Sequence, residues 1–146
     1  MRVLLQRVSE AGVAVDGTEI AAIGAGLLVL FCAEDGDDPS AADAMARKTA
    51  NLRIFEDPDG KMNLSALDVG GAILVVSQFT LAADTRKGNR PGFSRAAAPD
   101  TAAALMAAFC DQLRALGLTV ETGRFGAHMA VRLINDGPVT IWLEGG

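Results

Sequence analysis

Three polar residues, Ser77, Gln78 and Thr80, follow directly on an apolar run, Ala72-Ile73-Leu74-Val75-Val76, with Phe79 between them. The run is rich in Val and Ile and comes after Gly70-Gly71, so it reads as a strand buried on both faces. A buried hydroxyl or amide left unpaired costs ~1–3 kcal/mol. The polar atoms at the end of this strand are therefore either satisfied by a neighbouring loop or line a site. A Ser or Thr nucleophile needs a base within hydrogen-bond reach. The only histidine is His128, on an alternating stretch with Ala130 and Arg132, where a surface or rim role is the plainer reading. No Cys/His/Asp spacing suggests a metal. Gly24 and Gly26 lack the rest of a dinucleotide fingerprint, and no P-loop is present. The site residues therefore stand with no metal, no cofactor and no strong general base.

Two further stretches carry polar chemistry. Asn135-Asp136-Gly137-Pro138-Val139-Thr140 lies between two alternating segments and reads as a tight turn. The loop Asp84 to Arg95 carries Arg86, Lys87, Arg90 and Arg95 against one acid, and can hold a phosphate backbone even though the chain has a net charge of −5.

The elements that must position these residues are legible in order. The 146 residues form one domain, 1–146, large enough for a substantial core. No stretch approaches the ~20 apolar residues that span a bilayer, and the opening residues Met1 to Arg7 do not read as a signal peptide. Cys32 and Cys110 sit in apolar surroundings and read as reduced core cysteines of a cytosolic protein. Val3–Val8 alternates with Val3, Leu5 and Arg7 on one face. A second run to Val15, the Asp16-Gly17 turn and Thr18–Ile23 form a hairpin, and Gly26–Ala33 is a central strand. Pro39, capped by Asp38, opens a helix over 39–52. Ile54–Glu56 is a short strand before the turn Asp57-Pro58-Asp59-Gly60, and Lys61–Asp68 has no regular assignment. Pro99 opens a second helix with a stripe of Leu105, Phe109, Leu113 and Leu116, ended by Gly117. Strands follow over 118–121, 128–135 and 139–143. The fold class is α+β, a mostly antiparallel, barrel-like sheet of about seven strands with two helices packed on it.

Taken together the motifs resemble one family. The chain is similar from end to end to the D-aminoacyl-tRNA deacylases, through Gln6-Arg7-Val8, Asn51-Leu52-Arg53-Ile54-Phe55, Ser77-Gln78-Phe79-Thr80-Leu81, Gly88-Asn89-Arg90-Pro91, Glu121 to Ala127 and Asn135 to Thr140. The resemblance implies a cytoplasmic homodimer that cleaves the ester between a D-amino acid and its tRNA, with glycyl-tRNA as a further substrate and L-aminoacyl-tRNA refused. It implies a pocket of Ser77, Gln78, Phe79 and Thr80. It also implies a cis Gly137-Pro138 bond that enters the partner's pocket, with Arg7 orienting that turn. By analogy Lys87 and Arg90 meet the tRNA acceptor end. The chain departs from the family's usual pattern at His128 and Gly92, both outside the two signatures.

An aminoacyl ester is already activated, so positioning water and stabilising the oxyanion suffices for its hydrolysis. Between a nucleophile and a positioning residue, Thr80 reads as the second, because nothing in the sequence deprotonates it. Two rivals stand beside this reading: a non-enzymatic nucleic-acid-binding module supported by the basic loop, and a Ser/Thr esterase of small esters, which needs a base.

Overall fold

The computed structural model describes residues 1–145. Its spine is β1 (Arg2–Val15), a single 14-residue strand. The sequence divides it at Ser9-Glu10, but the structure carries the strand through. The reason lies at Arg7 and Val8, which are both buried, so the alternation changes phase there. Register shifts against its partner on either side of Val8 absorb the change. The Asp16-Gly17 turn, with φ of 51° and 78°, has the two left-handed residues of a hairpin twisted to match its strands, and it leads into β2 (Thr18–Ile23). Next comes β3 (Gly26–Cys32). Helix α1 (Pro39–Asn51) begins as expected, with the Asp38 carboxylate accepting from the Ala41 N–H at 3.0 Å.

The stretch that reads as irregular in the sequence is ordered. It holds β5 (Met62–Leu64), paired with β4 (Phe55–Glu56), and a one-turn helix, α2 (Ala66–Val69). Ser65 and Asp68 cap α2 reciprocally and Gly70 ends it at φ 65°. The Ser-x-x-Asp spacing is the local signal for it. Strand β6 (Ala72–Ser77) gives way to a 3-10 turn, Phe79–Ala82. Helix α3 (Pro99–Ala115), β7 (Val120–Thr122) and β8 (Ala130–Glu144) complete the chain. The two strands expected over 128–135 and 139–143 are one strand in the structure, with the Gly137-Pro138 turn as a bulge within it.

The main sheet runs β2-β1-β3-β6-β7, with β8 on the other side of β1. Pairs β1–β2, β1–β3, β1–β8 and β4–β5 are antiparallel, and β3–β6 and β6–β7 are parallel. The sheet is thus mostly antiparallel but mixed. The parallel pairs arise because the chain passes through α1 between β3 and β6, and through α3 between β6 and β7, and such crossovers return a strand in the same direction. The sheet curls so that β2 approaches β6 and β7.

Both faces of β3 and β6 are buried. On one face Leu27, Val29, Phe31, Ile73 and Val75 pack with Met45, Ala46, Phe109 and Leu113 of the two long helices. Phe31 and Phe109 meet with ring centroids 5.0 Å apart. On the other face Leu28, Leu74 and Val76 pack with Val8, Val13 and Ile23 inside the curl. The β3–β6 pairing is close at its start: a Cβ on Gly26 would lie 1.8 Å from the Ala72 carbonyl oxygen, so only glycine fits there. Cys32 and Cys110 are buried free thiols, and burial pushes the Cys110 thiol up to about 11.

Candidate active site

The parallel strands β3, β6 and β7 all end on the same side of the sheet, and a cavity of about 480 Å³ lies there. Cys32 and Ser77, the last residues of β3 and β6, line it with Gln78 and Phe79, the start of α3 from Ala98 to Ala102, and Phe125 and Gly126 beyond β7. Ser77 reaches it by simple alternation, on the same side of β6 as Ile73 and Val75. The chain is fastened as it leaves the strand, where the Gln78 N–H donates to the Phe31 carbonyl at 2.7 Å. The following 3-10 turn, tightened by the Leu81 N–H to Gln78 carbonyl bond at 3.2 Å, carries Thr80. Thr80 therefore sits in a turn beyond the strand rather than at its end.

The turn is braced from outside. Arg2 Nη1 donates to the Leu81 carbonyl at 2.9 Å, and Arg2 Nε pairs with Glu34 Oε1 at 3.1 Å. The other oxygen of Glu34 holds Arg95 at 3.2 Å. The exposed Phe79 ring meets Phe93 edge-on at 5.1 Å. Phe93 belongs to the long loop, which is itself pinned: Asp84 and Gly92 exchange backbone bonds of 2.7 and 2.9 Å, and the Asp35 N–H reaches the Arg95 carbonyl at 2.8 Å.

Phe93 and Phe125 have no signal in the sequence that marks them for the site. Isolated aromatics in loops carry no periodicity, although Phe125 lies within the Thr-Gly-Arg-Phe-Gly stretch. The cavity that they wall is largely apolar, with aromatic faces at its mouth. Among the described residues Cys32 is its only titratable lining residue, with a thiol raised first by burial and then by Glu34. The Thr80 hydroxyl accepts from the Gln78 side-chain amide, a group that cannot take a proton from it. Among the described residues, the N–H groups of Phe79 and Thr80 have no backbone acceptor, as is usual for the first donors of a helical turn. His128 is exposed and is not part of the cavity lining.

A second group of candidates forms elsewhere. Gln6 of β1 faces Thr140 of β8 and Val8 faces Asn135, so one residue, Arg7, lies opposite four, Asp136–Val139. Asp136, Gly137 and Pro138 bulge outward and are exposed, while the Val139 side chain turns back into the core. The Gly137–Pro138 bond is cis. Arg7 is 6% exposed. Its guanidinium is satisfied from two sides, with Nη1 donating to the Ile54 carbonyl and Nε to the Asp136 carbonyl, both at 2.8 Å. The Asp136 carboxylate lies 3.5 Å from Nε. Within one chain, the lining of the cavity includes Ser77, Gln78 and Phe79 but not Thr80, which lies beside it on the turn, nor Arg7, Gly137 or Pro138.

The basic loop lines a third region, a shallow depression with Asp84, Arg86, Lys87, Arg90 and Ser94 around it. Its cations are not equivalent. Arg86 is held two-fold by Asp84 at 2.9 and 2.7 Å, and this contact keeps the Asp84 carboxyl far below the usual carboxylate range. Arg95 is engaged by Glu34. Among the described residues Lys87 and Arg90 have no ion-pair partner.

Comparison with known proteins gives a consistent result. A family model described as D-Tyr-tRNA(Tyr) deacylase matches residues 4–144. The chain is 63% identical to the D-aminoacyl-tRNA deacylase of Thermomicrobium roseum, covering 99% of this chain and 94% of that one. It is 62% identical to the protein of the same name from Paracoccus denitrificans, covering 99% and 97%. Among solved structures, the c-Myc DNA unwinding element binding protein superposes with a TM-score of 0.92 at 43% identity, covering 99% of this chain and 98% of that one. A probable eukaryotic D-amino acid tRNA deacylase shares the fold, with a TM-score of 0.81 at 22% identity over 97% of each chain. Matched over nearly its whole length, the chain belongs to the D-Tyr-tRNA(Tyr) deacylase family.

Proposed function

We propose that the protein hydrolyses the ester bond of D-aminoacyl-tRNA, and of glycyl-tRNA, and spares the L-aminoacyl form. The observation that carries this reading is a cavity whose described lining holds no His, Asp, Glu, Lys or Arg, with Ser77 and Gln78 at the end of β6 and the Cys32 thiol at the end of β3 as its polar side chains. Such a site suits a substrate that is already activated. The ester carbonyl sits against the free N–H groups of Phe79 and Thr80, which stabilise the oxyanion as water attacks. Ser77, Gln78 and Thr80 position the water and the ribose end by hydrogen bonding, and the carboxyl carbon passes from the ribose oxygen to water with no covalent enzyme intermediate. Phe79, Phe93 and Phe125 offer faces for the terminal base, since single-stranded RNA ends are held by stacking on aromatic rings. Lys87 and Arg90, the loop's unpaired cations, meet the phosphates of the acceptor end.

Selectivity requires a second chain. Side chains of different amino acids share only their position on Cα, so a pocket that refuses every L form must do so with a wall against Cα. The exposed Gly137–Pro138 turn presents backbone carbonyls and no reactive side chain. We infer that it completes the cavity of a second copy, accepting from the α-ammonium group and blocking an L side chain, so that discrimination does not depend on side-chain identity. The long strand β8 pairs only with β1, leaves its outer edge open and exposes Val131, Ile134 and Trp142. An open edge of this kind with apolar side chains is a surface that a second copy covers. No helix among the described residues is long and apolar enough to cross a membrane, and the substrate puts the protein in the cytoplasm, where tRNA is used.

A DNA-binding reading has one specific support, the likeness to the c-Myc DNA unwinding element binding protein. Incubation with D-Tyr-tRNA, L-Tyr-tRNA, Gly-tRNA and a simple tyrosine ester separates the readings. The expected result is turnover of the first and third alone. Binding without turnover supports the nucleic-acid module, and turnover of the simple ester supports a small-molecule esterase.

Three variants test the parts. Thr80→Ala is expected to lower kcat by about 10- to 100-fold and leave measurable turnover. A trapped aminoacyl-Thr80 species in the wild type, or complete loss of activity in a variant that still binds, refutes the positioning role. Reversing charge at Lys87 and Arg90 is expected to weaken tRNA binding and to flatten its salt dependence by about one unit of slope for each phosphate no longer neutralised. An unchanged slope places the acceptor stem elsewhere. Ile134→Arg is expected to give a folded monomer without activity, and sedimentation showing an active monomer at assay concentration removes the two-chain site.

A further inference from the structure

The bulge that carries Gly137–Pro138 needs something to hold it, because Asp136–Val139 have no partners on β1. Four residues outside a ladder are free to shift unless their ends are tied. One tie is Arg7, which holds the Asp136 carbonyl. The far end is tied twice, by the Val139 side chain buried in the core and by Asn135, which in the sequence reads as the first residue of the Asn135–Thr140 motif. Its Oδ1 accepts from the Val139 N–H at 2.8 Å, and its Nδ2 donates to the Val139 carbonyl at 3.1 Å. The same Nδ2 donates to Thr140 Oγ1 at 3.2 Å. The carboxamide therefore grips both polar groups of Val139, the residue that follows the turn, and anchors to the point where the ladder resumes. Gln6 reaches the same Thr140 hydroxyl from β1 at 3.4 Å.

We propose that Asn135 is a specificity-positioning residue: its carboxamide clamps the far end of the Gly137–Pro138 turn, and the stiffness of that clamp sets the discrimination between D- and L-aminoacyl esters. This rests on the function proposed above. Rejection by a backbone wall works only if the wall does not yield, and a displacement of about 1 Å is enough to change reaction rates a hundredfold. Hydrolysis itself uses the turn at Phe79 and Thr80, on a different element. Loosening the clamp thus admits the L substrate and weakens the hold on the α-ammonium group of either substrate, while the donors that meet the reacting ester stay in place. No other common side chain reproduces the grip. Aspartate keeps the shape and the acceptor but has neither donor and sets a carboxylate oxygen against the Val139 carbonyl. Glutamine is a methylene too long, and alanine has neither group.

The test compares wild type, Asn135→Asp and Asn135→Ala on D-Tyr-tRNA and L-Tyr-tRNA, with sedimentation and thermal unfolding as controls. The expected result is an L-to-D ratio of kcat/KM raised by about tenfold or more, with the KM for D-Tyr-tRNA raised and its kcat within about threefold of wild type. A purely structural role lowers both rates together and leaves the ratio where it was, and that outcome overturns the proposal. Amide hydrogen exchange in the wild type gives a second readout that needs no variant. The Val139 N–H is expected to be protected although it lies outside the ladder, and rapid exchange there overturns the clamp even if the variants fail to fold. A wild type that leaves D-Tyr-tRNA intact refutes the underlying function instead. A wild type that discriminates, beside folded variants that discriminate equally well, refutes only the role of Asn135.

Discussion

Strands β3 and β6 are apolar on both faces, and most of the architecture follows from covering them. Leu27, Val29, Phe31, Ile73 and Val75 require a layer on one side, which α1 and α3 supply. Leu28, Leu74 and Val76 require one on the other, which the sheet supplies by curling over itself with Val8, Val13 and Ile23. At ~25 cal/mol per Å² of apolar surface, leaving either face open costs more than any local preference of the chain can offset. The helices lie between the strands in sequence, so covering one face also makes β3, β6 and β7 parallel and brings their carboxyl ends together. The cavity is a consequence of that alignment.

The site divides its tasks between elements that the fold holds separately. The donors proposed to meet the reacting ester lie on a short turn braced through Leu81 by Arg2 and Glu34. The backbone proposed to judge stereochemistry lies on a bulge braced by Arg7 and Asn135. Neither group is built on a long flexible side chain. Arg7 is the costliest piece, because a buried guanidinium without partners is strongly destabilising. It is tolerated because two carbonyls receive it. One of those carbonyls belongs to Ile54, between α1 and β4, so the bulge is tied to the helical layer as well as to the sheet.

The basic loop shows how a local charge count overstates what is available. Four cations between Asp84 and Ala98 suggest a broad electropositive surface. Two of them are committed, Arg86 to Asp84 and Arg95 to Glu34. The acid within the loop is visible in the sequence, but Glu34 lies some sixty residues away, and only the fold brings it to Arg95.

The sequence by itself determined what depends on local pattern. The two long helices were legible from Asp38-Pro39 and from the Leu105–Leu116 stripe, and the two-faced burial of β6 from an unbroken Val/Ile run. Alternation placed Arg7 on one face with Val3 and Leu5, and the structure buries that face. The Ser77–Thr80 and Gly137–Pro138 signatures marked the site through resemblance rather than periodicity. Tertiary structure decided everything that depends on which distant segments meet. It merged the two halves of β1 because β8 pairs along both. It made part of the sheet parallel, and it turned an apparent interstrand turn into a bulge opposite Arg7. It also brought Phe93 and Phe125 to the cavity and gave Asn135 its grip on Val139. Hydrogen bonds and ring contacts of this kind leave no period in the chain, because their partners are chosen by packing of the whole sheet and not by spacing along it.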